Sequence, residues 1–268
     1  MAILLLNDPL PHLQFQKFSP DQRLADWVQC YWKIGSQNTQ TAQLFKEKLY
    51  PDAGASLTID FSQATPVITF AFNRHTQAHT FSTLDSLLSV RLAPSGAYHL
   101  LGITLHELTE TNYRLGHDFT PSWYSSLLVC VENMQNSPLM SQLYLLEQWL
   151  LKQAMGQQLA KNSTLKVIKQ LIQLNDSTTV VSKQLGLTRR TLERRLKKEA
   201  GVSPAQLQQF YRLKTARSLL AESQIPVTDI ALQCGYYDHA HFCHAFHRFT
   251  FETPQQYRKR KVANQLNA

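Results

Sequence analysis

The chain has 268 residues, enough for two domains with separate cores, and its 43% hydrophobic and 17% charged content excludes a disordered or low-complexity polypeptide. No stretch approaches the roughly 18 uninterrupted apolar residues of a membrane-spanning helix. The net charge of +8 is unevenly carried: residues 1–160 hold 9 Lys/Arg against 12 Asp/Glu, whereas residues 161–268 hold 18 against 7. All of the excess positive charge therefore sits in the C-terminal part, the electrostatic footprint expected for a polyanionic partner.

The opening "MAILLLNDPLPH" has a five-residue apolar run with no basic residue before it, so it does not read as a signal peptide. The four cysteines, Cys30, Cys130, Cys234 and Cys243, are scattered without a CxxC, which fits reduced thiols. A cytoplasmic protein without membrane contact is the expectation. In chain order, "DQRLADWVQ" predicts a helix, and "SLTIDF", "PVITFAF" and "SLLSVRLA" predict strands of an antiparallel sheet or small barrel, being β-branched or aromatic and bounded by Pro, Gly, Asn and Ser. "PSGAYHLLG" opens a helical portion that continues from Pro121 to about Ala160. There Leu139, Leu143, Leu146 and Leu150 recur at spacings of 4, 3 and 4, a narrow apolar seam. Such a seam packs on its own domain or on a second copy; Leu145, Trp149 and Leu151 add apolar surface outside it, so a homodimer is expected. The polar "MGQQLAKNST" reads as the linker. The fold class is thus α+β: a β-rich, barrel or cupin-like domain over residues 1–160 that ends in helices suited to dimerisation, then an all-α domain over residues 161–268.

The basic part repeats itself. "VSKQLGLT-RRTLERRLKKEAGVSPAQL" aligns with "IALQCGYYDHAHFCHAFHRFTFETPQQY", with Gly186 on Gly235 at an offset of 49. After a one-residue insertion in the turn, Leu192 falls on Phe242, Leu196 on Phe246, Pro204 on Pro254 and Leu207 on Tyr257, all at 50. Each copy has the plan of a helix-turn-helix: a short helix closed by a glycine, then a helix capped by Thr188 or Asp238. Leu192 and Leu196 in one second helix, and Phe242, Ala245, Phe246 and Phe249 in the other, face the core by their spacing. The outward positions follow. In the first unit they are Arg190, Glu193, Arg194 and Lys197, flanked by Arg189, Arg195 and Lys198. Arginine pairs bidentately with guanine, Glu accepts from cytosine, and flanking Lys suits phosphates. In the second unit they are His239, Ala240, Cys243, His244 and His247, with His241 beside the buried stripe. His and Cys at i, i+4 also offer a zinc-binding reading. Between the units, "SPAQLQQFYRLKTARSLLAES" predicts a rigid helix with Ser203 as cap, Pro204 at its first position and Gln206 completing a capping box. Its expected apolar face is Leu207, Tyr211, Ala216, Leu219 and Leu220.

These segments, "LGLTRRTLERRLKKEAGVSPAQL", "RLKTARSLL" and "VTDIALQCGYYDHAHFCHAFHRF", resemble the DNA-binding domain of the AraC family of bacterial transcription regulators, over about Leu165 to Lys261. The resemblance implies two helix-turn-helix units entering successive major grooves on one face of promoter DNA. It assigns base reading to Arg190, Glu193 and Arg194, and to His239, Ala240, Cys243 and His244. It also implies an activator that meets RNA polymerase. Two departures stand out: His244 replaces the usual Arg, and Phe251 replaces the Gly of the ending retained as "GVSP" in the first copy, so the second helix is expected to end without a left-handed cap. "WVQCYW", "YPDAGASLTIDF" and "RLAPSGAYHLLGITLHELTE" are similar to the sensory domain of part of this family, which implies a β-rich effector or dimerisation domain for a small molecule.

No catalytic site, resident cofactor or metal is expected. The alternative is a DNA-binding fusion with an enzymatic N-terminal domain. A repair alkyltransferase would need an activated thiol, and Cys30 and Cys130 lack neighbouring His or basic residues. A cupin-like metalloenzyme would draw on His75, His79, His99, His106 and His117. Trp27, Tyr31, Trp32, Tyr50 and Phe61 read either as the lining of an apolar pocket or as core.

Overall fold

In this computed structural model residues 13–35, 41–109, 111–156, 163–173 and 177–266 are described. Alternation of apolar and polar side chains builds the N-terminal half. The six-stranded antiparallel sheet runs in the order β1 (Gln16–Phe18), β2 (Val28–Ile34), β7 (Leu87–Leu92), β4 (Ala55–Asp60), β5 (Val67–Phe72) and β8 (Asn112–Arg114). A second sheet pairs β3 (Leu44–Leu49) with β6 (Gln77–Ser82), Phe45 opposite Phe81. On β4 the buried residues are Ala55, Leu57 and Ile59, and on the adjacent β5 Ile68, Phe70 and Phe72, so one face of the sheet is continuously apolar. The three runs read as strands are β4, β5 and β7.

That face is covered by α1 (Gly96–Leu101), α2 (Tyr124–Met134) and α3 (Leu139–Gly156). The leucine seam on α3 turns inward: Leu143, Leu146 and Leu150 are fully buried and Leu139 partly so, all in the core beneath the sheet. Trp149 and Leu151 join them, so the seam stays within its own domain, and the exposed apolar residues of α3 are Met140, Tyr144 and Met155. The helix predicted around "DQRLADWVQ" is absent. Residues 22–27 form turns, closed by Trp27 N donating to Leu24 O at 2.9 Å, and β2 takes over at Val28. The pairing of β2 with β7 outcompetes so short a helix, which would leave most of its hydrogen-bonding groups as orphaned ends. Trp27 and Tyr31 are core residues. The linker segment falls mostly on residues 157–162, outside the described residues.

The C-terminal half is all helix: α4 (Ser163–Gln173), α5 (Thr178–Gln184), α6 (Arg189–Ala200), α7 (Pro204–Glu222), α8 (Val227–Gln233), α9 (His239–Thr250) and α10 (Pro254–Leu266). It has two small cores. Val167, Ile168, Leu171, Val181, Leu192 and Leu196 form the first; Ile230, Ala231, Phe242, Phe246 and Tyr257 form the second. Helix α7 belongs to both, giving Leu207 and Phe210 to the first and Leu213, Ala216 and Leu220 to the second. The apolar face expected for α7 is therefore adjusted: Tyr211 and Leu219 are only partly buried, and Phe210 and Leu213 carry more of the contact. Its capping box is present, Ser203 Oγ accepting from Gln206 N and Gln206 Oε1 from Ser203 N. The repeat reproduces it at α10, where Thr253 and Gln256 exchange the same two bonds.

The end of α9 corrects one expectation. Phe251 does close the helix in the left-handed region, at φ 59°, with its N–H donating to His247 O at 2.7 Å. A Cβ makes that conformation costly by about 1–2 kcal/mol. The surroundings hold it there: Thr250 Oγ1 accepts from Glu252 N, and the carbonyls of Phe249 and Thr250 accept from Thr76 and Lys48 of the N-terminal half.

Candidate nucleic-acid interface

Each short first helix ends on a glycine that takes the backbone conformation a side chain would resist, Gly186 at φ 62° and Gly235 at φ 76°. The chain then turns into a second helix fixed by its cap. Thr188 Oγ1 accepts from Thr191 N at 3.1 Å, and Asp238 Oδ1 from His241 N at 2.7 Å. With the start fixed, the buried stripe sets the rotation. Leu192, Leu196 and Ala200 are buried on α6, and Phe242, Phe246 and Thr250 on α9, at matching positions.

The predicted reading residues lie on the opposite faces. On α6, Arg189, Arg190, Arg194, Lys197 and Lys198 are exposed, and Glu193 is half-buried. Glu193 accepts from Arg189 Nε at 2.9 Å, so its carboxylate must leave that partner before it can meet a base. An exposed pair of this kind contributes only about 0.3–0.5 kcal/mol, a small obstacle. Lys198 lies over the Tyr98 ring at 5.5 Å and so touches the N-terminal domain. On α9, His239, Ala240, His244 and His247 are exposed and Cys243 is half-buried. The ring of His241 stands edge-on to Tyr236, 5.4 Å between centroids.

The zinc reading finds one pair, Cys243 Sγ at 3.4 Å from His239 Nε2. Among the described residues no group of three or more His, Cys, Asp or Glu gathers to hold a metal. The N-terminal histidines are likewise dispersed: His79 packs on Phe81, His99 meets Glu199, and His117 meets Asp118. Cys30 and Cys130 are buried, and burial pushes both thiols up, Cys130 to about 11. That favours the neutral thiol, the opposite of what an alkyl-transfer nucleophile needs.

Two exposed residues of the second unit escaped the sequence reading. Arg248 stands 50 residues after Lys198, at the matching flank of α9, so the repeat itself contained the signal. Tyr237 lies in the turn that is one residue longer in the second copy and is 89% exposed immediately ahead of the cap Asp238, which brings a hydroxyl and an aromatic ring to the start of α9. Aligned with Thr188, a residue of a different kind, it gave no signal in the repeat.

The helix-turn-helix assignment agrees with a family match. A family described as a helix-turn-helix domain matches residues 181–260, and a family described as a domain of unknown function (DUF6597) matches residues 16–114. The transcriptional activator RhaS of Shigella boydii is 42% identical over 79 residues, which is 30% of this chain and 28% of that protein. Among solved structures, a transcriptional regulator from Chromobacterium violaceum with an AraC-type DNA-binding domain is 28% identical, over 35% of this chain and 88% of that one, at a TM-score of 0.34. ToxT from Vibrio cholerae is 13% identical over 82% of this chain and 97% of that one, at a TM-score of 0.41. The chain matches a little over a quarter of the length of these curated relatives. Over residues 181–260 the chain thus carries a helix-turn-helix domain similar to that of AraC-type transcription regulators.

Proposed function

We propose that the chain regulates transcription by placing α6 and α9 in successive major grooves on one face of promoter DNA. The observation that carries this reading is the equivalence of the two helices. Both start at a side-chain cap, bury the same three positions and leave the same stripe open to solvent, on the half of the chain that holds the excess positive charge. On this reading Arg190, Glu193 and Arg194 read one half-site and His239, Ala240, Cys243 and His244 the other. Arg189, Lys197, Lys198 and His247 steady the helices on phosphates, joined by Arg248. The similarity to RhaS, whose name describes an activator, supports an activating role, and RNA polymerase is the partner that such a role calls for.

Residues 1–160 serve as the sensory and dimerising part and residues 161–268 as the DNA-binding part. An open, mainly polar cleft of about 550 Å³, with Ser122, Ser126 and Gln153 among its lining beside Ile103, Phe119 and Trp123, is the place this part offers a small polar effector. The exposed Met140, Tyr144 and Met155 of α3 supply the surface for a homodimer. No described helix is long and apolar enough to cross a membrane. Selection of random duplex DNA with the purified chain tests the reading, with and without cell extract to expose effector dependence. Enrichment of a two-part site with its parts about 10 base pairs apart is expected; a pool that stays random, or yields a single short motif, overturns it.

A further inference from the structure

We infer that the turn Tyr50–Ala53, with Lys48 and Thr76 beside it, sets the distance and angle between the two reading helices, so that the N-terminal domain determines which half-site spacing the protein accepts. The inference rests on the two-groove reading above and concerns how the two heads are held.

The turn is a wedge. Ala53, buried and left-handed at φ 63°, packs in the core of the first helix-turn-helix unit with Val167, Leu192 and Leu196. Three residues earlier, Tyr50 packs against the core of the second unit. Its ring is stacked on Phe249 at 6.0 Å, edge-on to Tyr257 at 6.5 Å, and covered by the Arg217 guanidinium at 3.8 Å. One short turn of the sensory domain thus touches both cores, at the point where α7 passes from one to the other. Phe249 is common ground, since it also meets Phe210 at 5.8 Å.

The same domain holds the C-terminal ends of both reading helices, where backbone carbonyls have no partner within the helix. At α9, Lys48 Nζ donates to Thr250 O at 2.8 Å and pairs with Glu252, and Thr76 Oγ1 donates to Phe249 O at 2.5 Å. At α6, His99 meets Glu199 at 3.0 Å and Gly201 lies against Leu105, where an added Cβ would come within 3.0 Å of the Leu105 Cβ. Grips at both helix ends and a wedge between both cores leave the heads little freedom to move apart. None of these residues lies on the predicted reading faces, so they act as positioning residues.

The test uses the full chain and duplexes carrying the selected two-part site at its natural spacing, with one base pair inserted, or with one part scrambled. One base pair rotates the second half-site by about a tenth of a turn. Wild type should lose about 10-fold in affinity or more on insertion, the scale of a lost base contact. Lys48→Met with Tyr50→Ala should lose less than about 3-fold, with affinity for the scrambled duplex unchanged, because one head still reads its part. Lys48→Arg with Tyr50→Phe should restore discrimination. The Tyr50 hydroxyl is buried without a hydrogen-bond partner, so its removal leaves the stacking intact. Thr76→Val serves the same test with little loss of packing, should the double variant fold poorly. Discrimination as sharp in the wedge variants as in wild type overturns the inference alone. A wild-type chain that prefers no two-part site overturns the two-groove reading and this inference together.

Discussion

Arg190 and Arg194 stand exposed on α6 in the stripe opposite Leu192 and Leu196, and each is long enough to pair with a guanine edge. Lys197, one turn further on, is a compact point charge suited to a phosphate. Arg194→Ala should therefore cost about 1–3 kcal/mol on the matched site and almost nothing on a scrambled one. Lys197→Ala should weaken both alike and lower the salt slope by about one unit. Affinity titrations over a salt series separate the two roles, and equal losses on both duplexes for Arg194→Ala would move that residue to the backbone. Phe251 carries backbone strain. Its ring is 61% exposed and its φ is 59°, so the side chain costs backbone energy and buries little. Phe251→Gly should stabilise the protein by about 0.5–1 kcal/mol, the strain relieved less the extra chain entropy of glycine. A thermal midpoint raised by about 2–4 °C per kcal/mol is the readout; a lowered midpoint would mean that the phenyl ring is doing structural work.

The two reading helices differ as elements although the repeat makes them equivalent in place. Helix α6 presents guanidinium and ammonium groups that stay charged, whereas α9 presents imidazoles, the side chains whose charge changes in the physiological range. His244 stands where the first helix carries Arg194, and an imidazole offers a guanine edge fewer donors than a guanidinium, so the second half-site should be the more weakly held. His244→Arg should strengthen that half-site by about 1–3 kcal/mol; footprinting protection unchanged by the substitution would place this residue away from the DNA. The end of α9 carries a pH dependence. Burial alone would raise the Glu252 carboxyl, but hydrogen bonds from Arg260 and Lys48 outweigh it and leave it below the usual carboxylate range. A depressed carboxyl contributes stability in full above its unfolded value of about 4.3 and loses it as the pH falls through the folded value. Glu252→Gln should lower stability by on the order of 1 kcal/mol at pH 7. That difference should begin to shrink below roughly pH 4.3 and close once the pH is under the folded value, and melting curves from about pH 7 down to about 2 show whether the gap closes.

For the molecule as a whole, the C-terminal half was readable in advance because its contacts are local. Gly186, Thr188, Ser203, Gly235 and Asp238 mark turns and caps within a few residues of the groups they satisfy, and a stripe such as Leu192 and Leu196 fixes the outward face with no knowledge of the rest of the chain. The strands β4, β5 and β7 were legible for the same reason. What the sequence hid is long-range. Tyr50 belongs with Phe249 and Tyr257 across roughly 200 positions of chain, and nothing in "YPDAGASLTIDF" distinguishes an aromatic that enters another domain from one that lines a pocket. The α3 seam had two equally periodic destinations, and only the presence of the sheet above it selected the inner one. The failed helix at residues 22–27 lost to pairing with β7, some sixty residues away. Reading of DNA by one chain with two heads on one face can be measured directly. Hydroxyl-radical footprinting of the full chain on its selected site should give two protected patches about 10 base pairs apart on the same face of the duplex. A single patch, or two patches on opposite faces, would contradict it.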